Sequence, residues 1–402
     1  MEQINPTTRK KETGIDRKKI LFTSANPSSI YIKNLAREFL ISNKGYTLDL
    51  LSIVDYTFYQ FKLEKDEFSP KSFEHTPENF VDNCLKNKWL NPLMVYHLLN
   101  KIKGQYESIT IHAPSVRYLP MIKRLNRSTK SLNTILWGSD FYTVKSKLKQ
   151  RLLGHIYKNS DRVVLGTNKA VDDFITLYPQ YKNKTQALNF GNSNIKQISR
   201  VSLKNRKESL RKEWGISQDK IIFCIGHTAE KEQQHLKILQ QICQMEQEVV
   251  DRFFFLFPLT YPSGPKAESL KNEILSELRK QEISNFKIID HYLEDEKICD
   301  IRIISDLYIN ARTTDMFSAS VLEHLYAKNL VFIGDWLPTC ETVKEMGCYF
   351  YSFSWDSFNK ILFNSIVNYD TCKNKLENNP TLVFEIASWE KILPRWNKIL
   401  IS

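Results

Sequence analysis

Residues 18–54 read KKILFTSANPSSIYIKNLAREFLISNKGYTLDLLSIV, and the order of patterns in this stretch decides the fold. KKILFTSA (18–25) is a short apolar run between basic and small polar residues, the pattern of a buried strand. SIYIKNLAREFLISNKG (29–45) carries apolar residues at helical spacing and closes on a glycine. YTLDLLSIV (46–54) is strand-like again. Strand, helix and strand in that order make a β-α-β unit, which requires a parallel sheet and a right-handed crossover.

The alternation continues outward. After an irregular aromatic and charged stretch (55–80) and a helix near 91–103, SITIHA (108–113), NTILWGS (133–139) and RVVLGT (162–167) predict buried strands. KQISRVSLKNRKESLRKEWGISQD (196–219) is polar and predicts a crossing linker followed by a short helix. A second series follows. Its strands are KIIFCIGHT (220–228), RFFFLFPLTY (252–261), NFKIID (285–290), SDLYINA (305–311) and LVFIGD (330–335). QHLKILQQICQM (234–245) and SASVLEHLYAK (318–328) read as helices between them, and SWEKILPRWNKILI (388–401) is a tryptophan-rich amphipathic close. The fold class expected is α/β: two doubly wound, Rossmann-like domains facing across a cleft. Residues 1–17 are a flexible lead-in, 18–200 and 201–385 the two domains, and 386–402 a helix returning to the first. Ligands of such sheets sit beyond the carboxyl ends of the strands.

A chain of 402 residues with 42% hydrophobic and 12% aromatic residues has enough apolar mass for two or three cores and is not disordered. No apolar run reaches the roughly 18 residues that span a bilayer, and the opening MEQINPTTRKKETGIDRKK lacks a secretory core, so a cytoplasmic location is expected. Seven cysteines, an odd number without a CxxC pair, give neither a zinc site nor a disulfide framework. The loop SANPSSI (24–30) has no glycine, and no GxxxxGK[ST] occurs, which disfavours NAD or FAD enzymes and P-loop NTPases.

Charge is uneven. Residues 1–200 hold 32 Lys and Arg against 17 Asp and Glu, a net +15, whereas the remainder nets −3. The first half is therefore suited to something anionic. Arg117, Lys123, Arg124, Arg127 and Lys130 surround Leu119, Met121, Ile122 and Leu125, and Lys145, Lys147, Lys149 and Arg151 follow. Cations beside exposed apolar residues fit an anionic bilayer surface or a lipid-diphosphate acceptor. No nucleic-acid motif accompanies them.

The chemistry concentrates in SDLYINARTTDMFSASVLEHLYAKNLVFIGDWL (305–337). A helix that begins near Ser318 turns the free amides of Ser318, Ala319 and Ser320 and its positive dipole end toward the cleft, an arrangement that suits a diphosphate. Asp315, just before the helix, is placed for sugar hydroxyls, and Glu323 for the hydroxyls of a ribose. Without further context the two carboxylates fit N-terminal capping and a solvated helix face equally well.

The order of strand, D-x7-E, helix and strand resembles the E-x7-E segment of GT-B glycosyltransferases, family 4 in particular. Phe317, Leu322, Glu323 and Ala327 match that segment in register. The resemblance implies a donor-sugar contact for Asp315 and a ribose contact for Glu323. SLRKEWGISQDKIIFCIGHT (209–228) is similar to the opening of that family's second domain, where a Gly-Arg loop and a lysine neutralise the donor diphosphate. This chain has Gly226-His227 and Lys231 there, so the arginine is absent. His112, at the end of SITIHA, and Asp140, in ILWGSD (135–140), match the first domain's strand-end histidine and His-Gly-x-Asp turn, with Trp137 in place of the histidine. W-G-x-D-x-Y, FPLTYP (257–262) and G-H-T…His235 also resemble bacterial fucosaminyltransferases.

The function implied is transfer of a sugar from a nucleotide-diphosphate donor to a lipid-linked or oligosaccharide acceptor in bacterial surface polysaccharide synthesis. The expected location is the inner face of the cytoplasmic membrane. Retention of configuration and no metal or other cofactor are the corresponding expectations; inversion would need a base, for which His112 and Asp140 are the candidates. Two other readings fit the same architecture: a nucleotide-sugar 2-epimerase, and a non-catalytic nucleotide-sugar-binding scaffold.

Overall fold

The computed structural model describes residues 17–26, 29–53, 58–64, 67–73, 102 and 105–401. The expected lead-in over 1–17 and the helix near 91–103 lie outside these, apart from Arg17 and Ile102. The strands are β1 Lys18–Ser24, β2 Tyr46–Ser52, β3 Phe58–Glu64, β4 Glu67–Phe73, β5 Tyr106–His112, β6 Thr129–Ile135, β7 Arg162–Leu165 and β8 Thr185–Ala187. The series continues with β9 Ile221–Ile225, β10 Phe253–Pro258, β11 Phe286–Ile289, β12 Leu307–Asn310, β13 Leu330–Gly334 and β14 Tyr351–Phe353. One sheet runs β4-β3-β2-β1-β5-β6-β7-β8 and the other β11-β10-β9-β12-β13-β14. The second sheet is parallel throughout. Its chain order reverses between β9 and β12, as that of the first does between β1 and β5, so each sheet is doubly wound with one switch point.

Two compact units divide the chain: Met1–Ile135, Arg151–Arg162 and Asn397–Ser402 in one, Leu136–Gln150 and Val163–Trp396 in the other. In the first unit, Ile32, Leu35, Ala36, Phe39 and Leu40 give helix α1 (Ile30–Ser42) its buried face. The stretch 55–80, expected to be irregular, contains β3 and β4, an antiparallel hairpin that pairs Glu64 with Glu67 and extends the sheet beside β2. Lys62, Glu64, Glu67 and Lys71 obscure its alternation, and Pro70 and the charges suit an edge strand.

In the second unit, the central strands are buried on both faces. Cys224 and Tyr308 join one apolar cluster, while Phe223, Ile225, Leu307 and Ile309 join the other. Burial on both sides explains why these strands read as continuous apolar runs. The segment 196–219 holds two helices rather than one, Ser193–Ser199 and Leu203–Glu213; the Asn192 side chain caps the first by accepting from the Asn194 amide at 2.9 Å. Strand β6 stops at Ile135, short of the expected 139, because Gly138 turns the chain at φ +117°.

The closing helix spans Trp389–Leu400. Its last carbonyls, which no helical amide can reach, are met by buried side chains of the first sheet. Asn133 donates to Ile399 O at 3.1 Å and Ser108 to Leu400 O at 2.8 Å. No described helix is long and apolar enough to cross a membrane.

Candidate functional site

The site is built where β9 and β12 lie side by side at the switch point of the second sheet. Beyond β9, Gly226 turns at φ +67°. A side chain there would meet His235 Nε2 at 2.7 Å and Gln233 Oε1 at 3.2 Å, so only glycine permits this approach. His235 opens helix α2 (His235–Ile242) and is 1% exposed, and burial lowers its pKa to about 3. His227, next after Gly226, lies 3.1 Å through Nδ1 from the Tyr308 hydroxyl. Burial, then the Arg302 and Arg312 charges, hold its pKa well below the ordinary value, so it carries no charge near neutrality.

Tyr308 in turn stacks on His324, with ring centroids 3.9 Å apart and planes 6° from parallel. Lys231, in the turn Lys231–Gln233, is directed onto Glu273 of helix α3 (Pro265–Lys280) at 3.1 Å and remains mostly exposed.

Beyond β12, a loop runs to helix α5 (Ala319–Tyr326), preceded by α4 (Asp295–Ile304) between β11 and β12. Among the described residues no side chain caps α5: Ser318 holds the cap position, but its side chain bonds the Asp315 carboxylate instead of the helix amides, and Ser318 and Ser320 are buried there with Ala319 half-buried. This is the uncapped helix start expected for an anion. Phe317 packs on the core below it. Asp315 is half-buried, Asn310 donates to its Oδ2 at 3.1 Å, and burial raises its pKa.

Met316, adjacent to Asp315, fills the space above Gly138, where an added Cβ would lie 2.9 Å from the Met316 Cβ. The Trp137–Asp140 turn therefore stands beside the Asp315 loop. Asp140 Oδ1 accepts from the Trp137 and Gly138 amides, both at 2.8 Å, while Oδ2 is shielded from solvent with no partner among the described residues. Burial lifts its pKa to about 7, a value suited to proton exchange near neutrality. His112, in the first unit, is fully buried at the end of β5 with its ring edge on Phe22, and burial lowers its pKa to about 3.

Glu323 has a different immediate environment from the one expected. It is 4% exposed, and its Oε1 accepts from Asn192 Nδ2 at 3.0 Å and Asn194 Nδ2 at 2.9 Å. Its Oε2 accepts from Arg302 Nε of α4 at 2.9 Å. Burial opposes the Arg302 charge, but Glu323, together with Cys224 and Tyr308, raises the guanidinium's pKa. With three hydrogen bonds already accepted from the protein at this burial, little of the carboxylate is presented to a ribose. Sequence reasoning missed Arg302, Arg312, Asn192 and Asn194. The first had a signal: Arg302 stands between Ile301, Ile303 and Ile304, and an arginine buried with them needs a counterion.

The basic patch is corrected in part. Arg117, Lys123, Arg124 and Arg127 are exposed, but Met121, Ile122 and Leu125 are in the core and Leu119 is half-buried, so those four apolar residues do not form an exposed patch with the cations. Lys145, Lys147 and Lys149 are exposed beside Leu148, which is 68% exposed.

The buried histidines make one prediction. Between pH 6.5 and about 3 the unfolded chain protonates at a position where folded His235 stays neutral. Stability therefore falls as pH falls through that window, by about 2 kcal/mol at pH 5 for this residue. Urea midpoints from pH 7 to 5 should fall less steeply in His235→Leu than in the wild type; equal slopes would contradict the assignment.

No family model and no curated protein matches the chain. Solved structures do. A glycosyltransferase from Rickettsia africae superposes with a TM-score of 0.70 at 13% identity, covering 96% of this chain and 98% of that one. HepE of Anabaena, in complex with UDP, gives 0.69 at 9% identity, covering 95% and 99%. The α,α-trehalose 6-phosphate synthase of Burkholderia multivorans gives 0.66 at 9% identity, covering 96% and 98%. At these identities the likeness fixes the architecture: a two-domain α/β fold of the GT-B glycosyltransferase type.

Proposed function

We propose that the protein is a glycosyltransferase that takes a sugar from a nucleoside-diphosphate donor held at the carboxyl ends of β9 and β12. The observation that carries this reading is the uncapped, largely buried start of α5 beside Asp315 at the switch point of a parallel sheet. The anion-favouring amides and dipole face the place where such sheets bind phosphates. The fold shared with HepE, which has been solved with UDP and with UDP-glucose, supports the choice of ligand. Asp315 accepts from hydroxyls of the donor sugar. The bond from the sugar to the nucleoside diphosphate breaks with the departing charge stabilised by the α5 amides, the acceptor hydroxyl oxygen bonds the sugar in its place, and the acceptor's proton passes to the departing phosphate oxygen.

The finer reading follows the family-4 resemblance: retention of configuration without a metal, on a lipid-linked acceptor of a bacterial surface polysaccharide. Exposed Leu148 among Lys145, Lys147 and Lys149 supports membrane contact. At about 1 kcal/mol per basic residue, Lys145→Ala/Lys149→Ala should weaken sedimentation with phosphatidylglycerol vesicles about tenfold or more. Unchanged sedimentation would remove that element.

The donor reading is tested by melting temperature against millimolar UDP, GDP, dTDP, ADP and CMP. A ligand at 100 times its dissociation constant adds about 2.7 kcal/mol, a shift of a few degrees for a protein of this size. One diphosphate should shift the midpoint. No shift with any of the five would count against donor binding and against the scaffold alternative alike.

A further inference from the structure

We infer that Arg312 supplies the cationic contact to the donor diphosphate, and that Glu230 is an internal counterion which the diphosphate displaces. This rests on the reading that the β9–β12 crevice holds a nucleoside diphosphate.

The charge inventory of the crevice leads to Arg312. His227 occupies the position where an arginine was expected, but it is neutral and bonded to Tyr308. Lys231 is turned onto Glu273 at the surface of α3, with its side chain 68% exposed. Arg302 is locked to Glu323, both nearly inaccessible at 7% and 5% side-chain exposure. Arg312 differs. It is the second residue beyond β12 and starts the loop that ends at α5. Its Nη1 donates to Glu230 Oε2 at 2.9 Å, and Glu230 belongs to the loop beyond β9. The pair therefore spans the carboxyl ends of the two strands that flank the switch point.

Three features suit this pair to exchange. The side chains are 20% and 36% exposed, so solvent and ligand reach them. The Arg312 backbone is anchored: the Trp336 indole donates to its carbonyl at 2.7 Å, and the next amide, Thr313, donates to Glu232 O at 2.9 Å. Exchange moves the guanidinium off Glu230 and off the longer contact that its Nε makes with Thr314 O at 3.4 Å. Burial opposes the Arg312 charge, but Glu230 and Asp315 outweigh it and raise its pKa, so the group stays cationic. Glu230 offers Arg312 one oxygen, which also accepts from Thr228 Oγ1 at 3.0 Å. A diphosphate presents several oxygens to the planar fork of donors, a better match than one shared carboxylate oxygen.

The probe is inorganic pyrophosphate, which tests the cationic contact without a base or ribose, together with the five nucleotides above and their nucleosides, followed by calorimetric titration. Arg312→Gln should weaken pyrophosphate and diphosphate binding ten- to hundredfold and leave the matching nucleoside unchanged. Glu230→Gln should strengthen diphosphate binding, because it removes the competing charge. Lys280→Gln, an exposed cation at the far end of α3, controls for loss of one positive charge. Arg312→Lys should fall between wild type and Arg312→Gln, and with Glu230→Gln it decides the matter if Arg312→Gln folds poorly. Wild-type diphosphate affinity in Arg312→Gln, or weakened affinity in Glu230→Gln, would overturn the inference while leaving the donor reading intact. Failure of the wild type to bind any of these diphosphates would overturn both.

Discussion

Alanine at Glu323 is expected to destabilise the second unit by about 3–5 kcal/mol, because it leaves Arg302 buried without its counterion. Asn192 and Asn194 also lose an acceptor. The cost should appear as a lower urea midpoint in tryptophan fluorescence, whether or not a nucleotide is present. Removing both charges together, as in Arg302→Met/Glu323→Leu, should restore much of the loss, since a well-packed apolar pair avoids the desolvation of both ions. A Glu323→Ala protein as stable as the wild type would show that the carboxylate is not what holds α4 and α5 together. Loss of transfer in Glu323→Ala therefore cannot by itself identify a ribose contact; binding must be compared with stability in the same variant.

Asn in place of Asp315 is expected to lower kcat/KM for transfer about 10²-fold with little change in melting temperature. The substitution keeps the size of the side chain and removes a charged acceptor for donor hydroxyls. The pH profile supplies an independent readout. Burial raises the Asp315 pKa, so the ionised acceptor is lost at a higher pH than for an ordinary carboxylate. The wild type should show an acid limb displaced upward in pH, and Asp315→Asn should lack it. Unaltered kcat/KM, or an acid limb that survives the substitution, would take Asp315 out of the site.

Much of this architecture was legible in the sequence for a simple reason. In the second sheet both faces of β9, β10 and β12 are buried, so each strand announces itself as an uninterrupted apolar run such as IIFCI. Of the edge strands β11 was legible as NFKIID, but β4, β8 and β14 were not, nor was β3 beside β4. β3 and β4 interleave charges with aromatics, and β8 and β14 are three residues each, too short for a period to show. The approach of the Trp137–Asp140 turn to Met316 was equally out of reach, because it joins segments about 175 positions apart and turns on the missing side chain of Gly138.

The site shows the same division. The start of α5 near Ser318 and the place of Asp315 before it followed from local spacing. The partners of Glu323 did not, because Asn192 and Asn194 lie about 130 residues upstream. Similarity of motif pointed to His227 and Lys231 beyond β9 for the diphosphate; the fold holds the histidine neutral and turns the lysine to the surface.

The central claim is that a nucleoside diphosphate binds at the start of α5, and amide hydrogen exchange tests it most directly. With the diphosphate that raises the melting temperature at saturation, amides of Ala319, Ser320 and Val321 and of the loops 226–233 and 311–318 should exchange more slowly, with the amino ends of β9 and β12 unaffected. Protection confined to another part of the chain, with these segments unchanged, would contradict the account.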